Sequence, residues 1–71
     1  MMKKVKYVKI NKSVFERVDQ EKVRKVYRER LEWYPSGRKN CLLVWDETLN
    51  RVRWVKEEIC TIVEIREEEV A

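Results

Sequence analysis

The chain has 71 residues, of which 42% are charged, and its formal net charge is +4 at pH 7. A chain of this length has room for one domain with a modest core, so we expect a single domain over residues 1–71. It contains no histidine and no Cys-x-x-Cys pair, which excludes a classical zinc site, and it has no apolar run suited to a membrane span or a secretory signal. We therefore expect a cytoplasmic protein without a metal or cofactor.

The composition is dominated by Lys, Arg, Glu and Val, with a single glycine and a single proline. This bias is typical of proteins from hyperthermophiles, in which ion-pair networks gain value with temperature. A thermophilic microbe or one of its mobile elements is the predicted source. Cys41 and Cys60 are interpreted as small buried hydrophobic residues, with a Cys41–Cys60 bridge as the alternative.

The first element is a strand over residues 3–10, KKVKYVKI. Basic and apolar residues alternate through Val5 and Tyr7, and the pattern then slips by one position to Val8 and Ile10. Period-two alternation indicates a strand, and its lysines are typical of an edge strand.

A helix is predicted next, over residues 19–34. Asp19 offers an N-cap, and Pro35 and Gly37 end the helix. Ser13 with Glu16 matches a capping box. The apolar positions of residues 13–18 fall on the opposite side of a helical wheel, so that segment is expected to be a separate turn, short helix or short strand. The apolar face of the helix is built from Val23, Val26, Tyr27, Leu31 and Tyr34.

Three strands follow in the second half of the chain. Residues 41–45, CLLVW, are apolar on both faces and indicate a central strand. A hairpin connection at 46–50 leads to an alternating strand at 51–56. Residues 57–58 form a tight turn before a strand at 59–65, and residues 66–71 form an acidic tail.

These elements predict an α+β fold in which a strand and a helix precede a three-stranded antiparallel meander. The single helix packs on one face of the sheet. Because the central strands are apolar on both sides, the other face needs a cover. A second copy of the chain is the simplest cover, so we expect a homodimer.

The charge is divided unevenly along the chain. Residues 1–39 hold 13 basic and 5 acidic side chains, whereas residues 40–71 hold 4 basic and 8 acidic ones. A basic half suits a polyanion such as nucleic acid, because each neutralised phosphate releases counterions. It also suits the acidic half of a protein partner, or simply a solvated surface.

Five basic residues are the predicted nucleic-acid contacts. Arg30 lies inside the apolar face of the predicted helix, where a guanidinium must snorkel, pair or face a ligand. The turn after the helix carries two cations that its geometry does not require, and the strand at 51–56 carries two arginines close to Trp54 and Trp45. Arginines beside aromatic rings on a sheet are common in proteins that bind single strands or RNA, although the two rings also fit a core under the helix. The predicted contacts are Arg30, Arg38, Lys39, Arg51 and Arg53.

The favoured function is therefore a small nucleic-acid-binding protein that contacts the phosphate backbone. The alternative is a protein-interaction or structural subunit of a homo-oligomer with no nucleic-acid role. Enzymatic activity is not expected, because the sequence shows no catalytic constellation. A small ribonuclease-type toxin, working with Arg, Lys, Glu and Tyr, is the enzyme alternative.

Overall fold

The described residues of the computed structural model, 1–11, 21–47 and 49–69, are almost entirely β-strand. They form two three-stranded antiparallel sheets. A 3₁₀ turn at Glu57–Ile59 precedes the last strand. The strands are β1 Met2–Ile10, β2 Arg24–Lys25, β3 Arg28–Tyr34, β4 Gly37–Asp46, β5 Arg51–Lys56 and β6 Cys60–Glu69.

The first sheet has the order β2-β1-β6 and the second sheet has the order β3-β4-β5. The chain passes from one sheet to the other between β2 and β3. The amide of Val26 donates to the carbonyl of Lys6 in β1 at 2.9 Å, and the amide of Tyr27 donates to the carbonyl of Leu43 in β4 at 2.9 Å. Two adjacent residues thus tie the two sheets together through backbone hydrogen bonds.

The hydrophobic core lies between the sheets. Leu42, Val44 and Val55 of the second sheet pack with Val8 and Ile10 of the first. Leu42 and Val8 are completely inaccessible to solvent. Since side chains alternate along a strand, the positions between these buried ones point away from the core. That alternation fixes which residues of the second sheet face outward.

The predicted helix over residues 19–34 is wrong, and with it the α+β class and the helix packed on a sheet. Among residues 1–11, 21–47 and 49–69 there is no α-helix, and β2 and β3 occupy most of the predicted span. The residues that would have formed its apolar stripe do not gather on a buried face: Val23, Tyr27 and Leu31 are exposed. The capping box and residues 13–18 lie outside the described residues, as does Asp19.

The strands themselves were largely predicted. The strand at 3–10 is confirmed as β1, but it is the central strand of the first sheet and not an edge strand as its lysines suggested; 51–56 is confirmed as β5. The slip in the β1 pattern coincides with a shift of register against β6 between Tyr7 and Val8. The strand at 41–45 is the second half of a longer β4.

The three-stranded meander lies one strand earlier in the chain than predicted. The second sheet is a meander of β3, β4 and β5, whereas β6 leaves it and pairs with β1 from Met2–Glu69 to Ile10–Cys60. The predicted acidic tail is part of β6 as far as Glu69. The predicted hairpin at 46–50 is present, but Asp46 already pairs with Arg51, so the connection is 47–50.

Candidate nucleic-acid interface

The outer face of the second sheet is the surface that turns away from the core. The strand registers align two complete rows of its residues across the three strands, Arg28–Leu43–Trp54 and Arg30–Cys41–Lys56, and no element of the described chain covers them. We use the name outer face for the following eleven positions: Arg28, Arg30, Glu32 and Tyr34 on β3; Lys39, Cys41, Leu43 and Trp45 on β4; and Val52, Trp54 and Lys56 on β5.

Basic side chains lie directly over aromatic rings on this face. The guanidinium carbon of Arg30 is 4.1 Å from the centre of the Trp54 ring, and the Nζ atom of Lys56 is 4.3 Å from the centre of the Tyr34 ring. A cation over a ring face is attracted by the negative face of the π system. Each ring therefore holds a basic group in position above the sheet and leaves that group in contact with water.

A buried thiol lies beneath these side chains. Cys41 is 2% exposed although it is on the outer face. The Tyr34 hydroxyl is 3.7 Å from Cys41 Sγ, and this hydrogen bond raises the pKa of Tyr34 above its ordinary value. The phenol therefore stays neutral at physiological pH and adds no negative charge to the face.

The outer face carries four basic side chains and one carboxylate. Arg30 Nε pairs with Glu32 at 2.5 Å, and Lys39 pairs with Glu58 at 3.1 Å. Among the described residues, Arg28 and Lys56 have no carboxylate within 4 Å. The face itself has a surplus of three positive charges, and two of its cations have no ion-pair partner in the part of the chain that the structure describes.

Two of the five predicted contacts, Arg30 and Lys39, lie on the outer face. The other three occupy positions of opposite parity on the second sheet. Arg53 pairs with the buried carboxylate of Asp46 at 3.0 Å. Arg51 is exposed at the start of β5. The structure therefore does not bring the five predicted residues together on one surface.

Arg38 stands at the tip of the β3–β4 hairpin. It lies opposite Trp33 in register, and its guanidinium carbon is 5.4 Å from the centre of that ring. Tyr34 pairs with Gly37, so Pro35 and Ser36 alone form the loop, and Gly37 takes a φ of 117°, which favours glycine. The proline and glycine that predicted the end of a helix thus belong to a tight hairpin.

A cleft of about 450 Å³ beside this hairpin also contains Arg38 and Lys39. Two carboxylates, Glu57 and Glu58, line the same cleft, and Asn40 donates to Glu57 at 3.1 Å. A phosphate placed there would meet two acids as well as two cations. The cleft is therefore a poorer site for a polyanion than the outer face.

Arg28 and Lys56 were not predicted from the sequence, although a signal for each was available. Arg28, Arg30, Glu32 and Tyr34 alternate at period two, and they share one face only if the segment is a strand. Lys56 has the same parity as Trp54 on a strand that the sequence did predict. Because β3 was assigned to a helix, the common face of its four alternating residues was not recognised. Lys56 then had no basic neighbours that would have drawn attention to it.

The fold and this face together define a small all-β protein with a basic and aromatic surface on a three-stranded sheet. No protein-family model, curated protein or solved structure matches the chain. The described residues contain no cluster of three potential metal ligands. In that same part of the chain, no helix is long and apolar enough to span a membrane.

Proposed function

We propose that this protein binds nucleic acid through the outer face and that its basic side chains contact the phosphate backbone. The observation that carries the proposal is the joint placement of cations and aromatic rings on one solvent-exposed sheet face. Phosphate contacts by Lys and Arg supply most of the sequence-independent affinity for nucleic acid. A surplus of positive charge on an uncovered sheet meets that requirement.

The arrangement of the rings favours backbone contact over base stacking at two of three positions. Arg30 already covers Trp54, and Lys56 already covers Tyr34, so an incoming base would have to displace a cation. Trp45 is 38% exposed, and no cation of the described residues is found over its ring. That ring is the one place on the outer face where a base or a sugar can pack without such displacement.

The ion pair between Arg30 and Glu32 fits the same proposal. A carboxylate 2.5 Å from the guanidinium occupies the place that a phosphate oxygen would take. Because the pair is on the surface, with Arg30 52% exposed, its net strength is small. Exchange of Glu32 for a phosphate therefore carries little energetic penalty.

The test is a double substitution, Arg28→Ala with Lys56→Ala. A labelled 20-mer, single-stranded or duplex, is titrated and followed by fluorescence anisotropy over a range of salt concentrations. The unsubstituted protein should show a steep decline of log K with log salt. Each lost phosphate contact lowers the slope by about 0.9 on duplex DNA, so the double variant should lose about 1.8.

The matched control is Arg38→Ala with Arg51→Ala. Like the test variant, it removes two basic side chains with no carboxylate within 4 Å among the described residues, but from positions that point the other way. Both variants have the same net charge. The proposal requires the control to keep the steep slope. Equal losses in both variants would show a diffuse charge effect, and affinity independent of salt would refute phosphate binding.

A further inference from the structure

Within residues 1–11, 21–47 and 49–69, no strand pairs with the outward edge of β6. β6 is the terminal strand of the first sheet, with β1 on one side only. It runs for ten residues, from Cys60 to Glu69. The backbone N–H and C=O groups along such an edge are a template for pairing with another strand.

Three large apolar side chains of β6 are exposed. Ile62, Val63 and Ile65 are 42%, 48% and 55% exposed. Natural edge strands are commonly short, bulged or marked by lysine, which discourages pairing. β6 has ten residues and no lysine, and its one register shift against β1 lies near Val63, leaving the register continuous from Glu64 to Glu69.

We propose that β6 pairs antiparallel with β6 of a second copy, centred on Ile65. The resulting dimer joins the two first sheets into one continuous six-stranded sheet. It uses neither the outer face nor any residue proposed to contact nucleic acid. The inference therefore stands independently of the proposed function.

Symmetry restricts how two identical edges can pair. When two identical strand edges pair with two-fold symmetry, two residues can face each other only if both direct their backbone N–H and C=O groups to the same side of the strand. Along a regular strand this holds only when the axis passes beside a residue that faces its own copy. An axis at Glu64, Arg66 or the following glutamates would set like charges against each other, which is destabilising.

Ile65 is the apolar residue nearest the middle of β6, so an axis there gives the longest overlap. It places Ile65 against its own copy and Glu64 opposite Arg66 of the other copy, twice. Within one chain these two side chains already interact, Arg66 Nε with Glu64 Oε1 at 2.6 Å and Arg66 Nη2 with Glu64 Oε2 at 2.9 Å, so they lie on the same side of the strand. Pairing would extend this contact into an alternating set of four charges.

The acidic end of β6 also fits this register. Glu67, Glu68 and Glu69 of one copy would lie alongside residues 61–63 of the other, none of which is acidic. Glu68 is meanwhile held by Lys25 at 3.0 Å, and Glu69 by the Met1 amine at 2.9 Å. The acids of the two copies therefore stay apart, and charge complementarity selects a second copy as the occupant.

Cysteine cross-linking tests the register directly. In a Cys60→Ser background, Ile65→Cys places two thiols on directly opposed positions, where Cβ atoms are about 5 Å apart and a disulfide needs only small adjustment. The control Val63→Cys is four residues from its own copy, about 13 Å away along the strand. Mild oxidation should yield a covalent dimer for the first variant and monomer for the second.

A charge exchange tests the same register without a covalent bond. Glu64→Arg alone sets arginine against Arg66 of the other copy and should raise the dimer dissociation constant roughly tenfold. Adding Arg66→Glu restores opposite charges and should recover dimerisation. Light scattering of the unsubstituted protein, without nucleic acid, should give twice the 8.8 kDa chain mass. A monomer at high concentration, or cross-linking of Val63→Cys in preference to Ile65→Cys, would overturn the proposal.

Discussion

Replacing Arg24 with alanine tests how the tip of the β4–β5 hairpin is held. The Arg24 side chain is 3% exposed, and its Nη2 atom pairs with Glu47 at 2.5 Å. Its Nε and Nη1 atoms donate to the carbonyls of Trp45 and Lys22 at 3.3 and 3.4 Å. Truncation removes these three interactions from the interior side of the hairpin.

The expected loss in the free energy of unfolding is about 3 kcal/mol. Breaking a buried ion pair by removing one partner costs about 3–5 kcal/mol. Glu47 is 34% exposed and regains water, which places the cost at the low end of that range. For a domain of this size, 3 kcal/mol corresponds to a fall in melting temperature of roughly 12–24 °C.

Lys22→Ala is the control, because Lys22 pairs with the same carboxylate. Its Nζ is 3.6 Å from Glu47 Oε2, but its side chain is 44% exposed, so its loss should cost less than about 1 kcal/mol. Urea denaturation followed by tryptophan fluorescence gives both values, and Arg24→Met separates lost packing from lost charge. Equal costs for Arg24→Ala and Lys22→Ala would refute the argument from burial.

Two further predictions concern pH and backbone strain. Burial alone would raise the pKa of Glu29, but hydrogen bonds from Asn40 and Lys6 outweigh it and leave the pKa below the ordinary 4.5; that of Glu47 is also lowered. Their contribution to stability is thus complete above about pH 4.5 and is lost as pH falls through the lower folded values. When the urea midpoint is measured from pH 7 down to pH 3, it should fall once the pH is below 4.5. The fall should be smaller in the double variant Glu29→Gln with Glu47→Gln, and an equal fall would contradict this. In the same assay, Gly37→Ala should lower the free energy of unfolding by about 1–3 kcal/mol. The cost comes from the φ of 117° alone, because the new Cβ would meet no atom within 4 Å. An unchanged urea midpoint would contradict this prediction.

The strands that could be predicted are those with one solvent-exposed face and one buried face. β5 alternates cleanly, with Val55 4% exposed in the core and Trp54 on the outer face, and its bounds were predicted to the residue. β1 alternates up to its register shift. In both strands the period-two pattern reports burial of one face, which a sequence records directly.

β3 could not be found in this way. It is an edge strand of the second sheet, and Glu29 and Leu31, on the core-facing parity, are as exposed as Arg28 and Arg30 on the outer face. Without a buried face the strand lacks the alternation of apolar and polar residues that marks a half-buried strand, while Lys, Arg, Glu and Leu are good helix formers. Pairing with β4 through a two-residue turn overrides that preference, and helix propensity alone does not reveal it.

The candidate site was predicted in part for the same reason. The association of arginines with tryptophans was visible in the sequence, but the face that they share was not. Arg30 was singled out as an anomaly inside a helix, whereas its explanation is the Trp54 ring on a strand two positions across the sheet. A wrong secondary structure therefore singled out a residue that does lie on the outer face, but for a wrong reason.

The two sheets differ in how far apart in the chain their partners are. The second sheet is built from hairpins between consecutive strands, whereas the first is closed by contacts such as Met1 with Glu69, which are 68 positions apart. The entropy of loop closure grows with separation, so distant pairings form late and slow the folding of β-proteins. The surface proposed for recognition thus belongs to the part of the molecule that can form earliest in folding. The pairing of β1 with β6 is then the slow step that limits the rate of folding.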